Sequence, residues 1–108
     1  MIEKLYPFTL AESKIIERVL DEDAIAINHM ILPQGDRLPE HDANSHVYMI
    51  VSRGTITLQL DDQEEHHYDA GSILNIPFRT HMNVINTHEE TVELFVVKVP
   101  GPRSMPKP

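Results

Sequence analysis

Short apolar runs recur at roughly ten-residue intervals along this chain, each closed by glycine, proline or an acidic turn. The segment "AIAINHMIL" (24–32) lies between "DED" and "PQG" and predicts a strand. "VYMIVSRG" (47–54) is a continuous apolar run, the pattern of a strand buried on both faces. In "TITLQLDD" (55–62) Ile56, Leu58 and Leu60 fall on one face and Thr55, Thr57 and Gln59 on the other. "DDQEEHH" then reads as the exposed tip of a hairpin, and "GSILNIP" (71–77), "MNVIN" (82–86) and "VELFVVKV" (92–99) supply three further strands. Helical periodicity is confined to "TLAESKIIERVL", where Thr9 and Glu12 have capping-box spacing. Ile15, Ile16 and Val19 favour instead a strand that runs into the "DEDA" turn. The pattern predicts an all-β sandwich or barrel in one domain spanning 1–108, with an N-terminal strand or arm region (1–24), a barrel core (25–99) and a proline-rich tail (100–108).

Composition narrows the function. With 108 residues, 41% hydrophobic and 24% charged, the chain can bury one modest core. No window approaches the ~20 apolar residues of a membrane-spanning helix. The start "MIEKLYPFTL" has acidic and proline residues where a secretory signal needs a basic patch and an apolar run, so the cytoplasm is the expected location. A formal charge of -8 argues against nucleic acid and membrane as partners. The absence of cysteine removes thiolate catalysis, disulfides and cysteine-bound zinc. There is no phosphate-binding glycine loop, G-x-S-x-G elbow or H-E-x-x-H motif.

Between Ile25 and Val99 the chain resembles a small single-domain cupin. The first cupin motif is written G-x5-H-x-H-x3-E-x6-G, and Gly35, His41 and Gly54 fall at its spacings. The second, G-x5-P-x-G-x2-H-x3-N, is matched by Gly71, Pro77 and Asn86. The resemblance implies a small cupin-type β-barrel, a double-sheet jelly roll, with a divalent metal held by two histidines and an acid of the first motif and a histidine of the second. On this chain those positions are His41, Ala43, Val47 and Met82. One imidazole beside three hydrocarbon or thioether groups does not replace a metal's hydration shell. A competing register uses His46 and His81, each one residue before a motif position, to give a three-histidine site of His41, His46 and His81 for zinc, nickel, iron or manganese. That register requires two one-residue slips, and each slip turns a side chain to the opposite face of its strand.

The remaining histidines divide between core and surface. His29 is either a satisfied core or rim histidine or a second polar group beside His41 in the barrel mouth. His66, His67 and His88 fall in turn-like segments. Tyr48 and Met30, Met49 and Met82 are candidates to line a pocket, and Arg79, at a motif glycine position, is a candidate anion ligand or surface ion-pair partner. The leading expectation is a cupin barrel that binds a small molecule in a mostly apolar pocket of His41, Ala43, Val47, Met82, His29 and Tyr48, with no certain cofactor. The alternatives are a metal-dependent cupin enzyme (a dioxygenase, isomerase or relative) and a structural or sensory module. A homodimer is expected because an open sheet edge needs covering.

Overall fold

A computed structural model describes residues 1–107. Its elements, in chain order, are β1 (Ile15–Asp21), β2 (Ala26–Leu32), β3 (His41–Asp42), β4 (Val47–Arg53), β5 (Thr55–Leu60), β6 (His66–Asp69), β7 (Ser72–Ile76), β8 (His81–Ile85), β9 (Val92–Lys98) and a short 3-10 turn at Pro102–Ser104. A five-stranded sheet has the order β1-β2-β9-β4-β7, and a four-stranded sheet the order β3-β8-β5-β6. Every strand pair is antiparallel. This is the all-β barrel that the strand spacing predicted, in the double-sheet jelly-roll form that the cupin resemblance implied.

The core forms where the inner faces of the two sheets meet. Met30 and Leu32 of β2, Val47, Met49 and Val51 of β4, and Val92, Leu94 and Val96 of β9 come from the larger sheet. Ile56, Leu58, Met82 and Val84 come from the smaller. Burial of such side chains stabilises by about 1.5–3 kcal/mol each relative to exposure. Gly54 carries the chain from β4 into β5, and so from one sheet to the other, at φ 77°. A Cβ there would lie 2.5 Å from the Thr91 carbonyl oxygen. Both the backbone conformation and the close approach demand glycine.

Three strand readings change. The run 47–54 is buried on one face only: Val47, Met49 and Val51 are inside, whereas Tyr48 and Ser52 are exposed. Alternation along the strand decides this, with every second side chain of β4 turned to the outer face of its sheet. The expected hairpin tip is shorter than its sequence, since His66 and His67 already belong to β6 and pair with Leu58 and Thr57. Thr57, on the polar face of its strand, is fully buried, and its hydroxyl is satisfied by His67 at 2.7 Å and Thr87 at 2.8 Å.

The N-terminal residues form an extended arm and then β1, with no helix. Thr9 does not cap Glu12; its backbone N–H and its hydroxyl both donate to the Glu17 carboxylate, at 2.9 Å each. Phe8 packs on His29 and Phe95, with ring centroids 4.9 and 5.0 Å away. The arm therefore covers the outer face of β2, and His29 and Ile31 are buried there, on the side opposite Met30 and Leu32. No helix among the described residues is long and apolar enough to cross a membrane.

Candidate functional site

A cavity of about 330 Å³ opens between the sheets. Pairing of β3 with β8 sets His41 opposite Met82. These two residues, together with Ala43, Val47, Met30 and Met49, line the cavity. Ala43, Val47 and Met82 are almost fully buried, at 2%, 1% and 3% exposure, so the wall here is hydrocarbon and thioether. His41 stands at the rim, where its Nδ1 lies 2.8 Å from the Pro39 carbonyl oxygen. That contact orients the ring and leaves Nε2 as its free polar atom.

Strand parity removes two residues from the expected pocket. His29 lies on the outer face of β2, bracketed by Glu17 Oε2 on Nδ1 and Glu93 Oε2 on Nε2, both at 2.7 Å, and stacked on Phe95 at 4.7 Å. Its partners are carboxylates, not backbone, and it does not share the barrel mouth with His41. Tyr48 is 43% exposed on the outer face of β4.

The three-histidine register is not formed. Met82, not His81, faces the interior; the His81 ring points outward, with Nδ1 2.8 Å from Asp42 and Nε2 3.1 Å from Glu40. Those two carboxylates, Asp42 foremost, raise the His81 pKa above the ordinary histidine value. His46 is exposed and lies beside Phe78, its ring 6.1 Å away. Only His41 of the three lines the cavity. Arg79, placed where the second motif has glycine, adopts φ 73° and sets its guanidinium 4.8 Å over the Phe78 ring. The backbone thus keeps a glycine conformation under a residue with a Cβ.

Sequence reading missed the polar end of the cavity. Asn28, Asn44 and Lys98 also line it. Lys98 continues the inward row Val92, Leu94, Val96 of β9, so a charge in phase with an apolar stripe was its only signal.

The chain is 40% identical to an uncharacterized protein of Methanocaldococcus jannaschii over 109 residues, which span 100% of this chain and 94% of the relative. The crystal structure of an RmlC-like cupin family protein with a double-stranded β-helix fold, from the same organism, superimposes with a TM-score of 0.92 at 41% identity, covering 95% of each chain. The chain belongs to the cupin family. A cupin 2 conserved barrel domain protein of Salinispora arenicola shares the fold at 17% identity, with a TM-score of 0.72 and coverage of 90% and 88%. A double-stranded β-helix protein of Klebsiella pneumoniae does so at 18% identity, with a TM-score of 0.75 and coverage of 89% and 84%. No family model matches the chain.

For this cupin the family's metal can be tested against the donors present. The four motif positions do converge on one cavity, but they offer one imidazole, a methyl, an isopropyl and a thioether. Among the described residues no group of three or more histidines and carboxylates is arranged to hold a metal ion. The residues do not fit the family's divalent ion.

Proposed function

We propose that this cupin binds a small organic molecule in the barrel cavity, chiefly by apolar burial. The observation that carries the reading is the replacement of three ligand positions by Ala43, Val47 and Met82, which turns the family's metal locus into a hydrocarbon wall. A cavity of about 330 Å³ is of the size and character of sites that take small molecules. His41 Nε2 at the rim orients the guest.

Calorimetric titration with octanol tests this. Native protein is expected to bind it, and Ala43→Phe, which fills the cavity from its wall, is expected to abolish binding while the thermal unfolding transition stays cooperative. Undiminished binding in Ala43→Phe would overturn the assignment.

A second observation favours a homodimer. β7 is an edge of the five-stranded sheet, and it presents Ile73, 67% exposed, on the same outer face as Tyr48 of β4. An unpaired edge flanked by apolar side chains is suited to a second copy of itself.

A further inference from the structure

Lys98 ends the inward-facing row of β9 and pairs across the sheet with Ala26 on one side and Val47 on the other. Both neighbours are buried and apolar, at 4% and 1% exposure. Asn28, Asn44 and Lys98 also line an adjoining cavity of about 220 Å³, whose other walls include Arg18, Asp21 and Arg103. The apolar barrel cavity and this charged one therefore meet at a threshold of two amides and an ammonium.

Charge accounting singles out Lys98. Arg18 is held by Asp21 at 3.3 Å, and Arg103 by Asp23 at 2.5 Å. Lys98 enters none of the ion pairs among the described residues. In a chain with 17 acidic and 9 basic side chains, a half-buried cation without a carboxylate is conspicuous. Burial lowers the Lys98 pKa from the usual lysine value; Arg18 acts in the same direction, and Asp21 opposes it. A partly desolvated ammonium gains from any anion that reaches it.

We propose that the threshold formed by Lys98, Asn28 and Asn44 is the head-group subsite for a monoanionic carboxylate whose apolar body lies along Val47 and Met82. This rests on the apolar-cavity reading above and specifies its ligand class. One free cation, with Asp21 in the same polar cavity, matches a single negative charge better than a phosphate dianion. The two amides supply N–H donors for the carboxylate oxygens. The opposing role for Lys98 is to extend its stem over the barrel mouth and keep its head in water, which would confer no preference among ligands.

Titration of the native protein with octanoate, octanol and octylamine separates these roles. Octanoate is expected to bind on the order of tenfold more tightly than octanol, and octylamine most weakly. Lys98→Met should remove that tenfold advantage, read as the ratio of octanoate to octanol affinity within the variant; Lys98→Arg should retain it. If octanol binds and octanoate gains nothing over it, or if Lys98→Met leaves that ratio intact, the head-group subsite is refuted while the apolar cavity stands. Failure of native protein to bind either compound refutes both. The comparison of the three ligands on native protein decides the matter even if a variant misfolds.

Discussion

At residue scale, the side chains that match the cupin motifs mostly hold backbone rather than ligand. Asn86 is fully buried; its Nδ2 donates to the Leu32 and Glu90 carbonyls, at 2.8 and 2.9 Å, and its Oδ1 accepts from the His88 N–H at 2.9 Å. Such a residue pins loop to strand whether or not a metal is present. His81 shows the converse, a histidine suggestive of metal that is engaged by carboxylates on the outside. Its pKa is raised in the fold, so the stability it contributes is complete below the ordinary histidine pKa of about 6.5 and is lost as pH rises through the folded value. In an NMR titration His81 should therefore deprotonate above its unfolded counterpart. Asp42→Asn should draw the midpoint back towards the ordinary value; no movement in that variant would show that Asp42 is not the cause.

At element scale, the N-terminal arm is fastened to the barrel at several points, by Tyr6 on Glu22 and Glu12 on Arg53 as well as by the Glu17 carboxylate. Glu17 accepts from both donors of Thr9 and contacts buried His29, while Phe8 covers that histidine. The Thr9 backbone N–H, then His29, then the Thr9 hydroxyl lower the Glu17 pKa below the usual carboxylate value, against a smaller effect of burial. A depressed acid stabilises above its unfolded pKa, and the contribution is lost as pH falls through the folded one. Glu17→Gln is thus expected to loosen the arm at neutral pH and to flatten the acid limb of a stability–pH curve. Limited trypsin digestion should then cleave at Lys14 faster than in native protein, leaving the barrel intact; equal rates would show that the Glu17 contacts are not what holds the arm.

For the whole molecule, the unpaired β7 edge sets the expected assembly. Sedimentation of the native protein should give a dimer, and Ile73→Glu should weaken it by on the order of tenfold or more, since a desolvated carboxylate at an apolar contact is costly. A native monomer at high concentration would dismiss the pairing. The two faces of β2 also separate the barrel cavity from the arm. The arm lies on the outer face of β2 over His29, whereas the cavity lies on its inner face at Asn28 and Met30.

Period-two alternation, turn glycines and motif spacing were enough to predict most of the strands and the barrel, and to place Ala43, Val47 and Met82 at motif positions, because those properties are local or depend on fixed residue counts. The pairing partner and the covered face are not local. Whether His81 or Met82 pointed inward depended on the β3–β8 register; the burial of His29 depended on an arm that folds back from residues 8 and 9. The polar threshold is the clearest case. Lys98, Asn28 and Asn44 come from separate segments, and only the closing of β9 against β2 and β4 brings an unpaired ammonium to the edge of an apolar cavity.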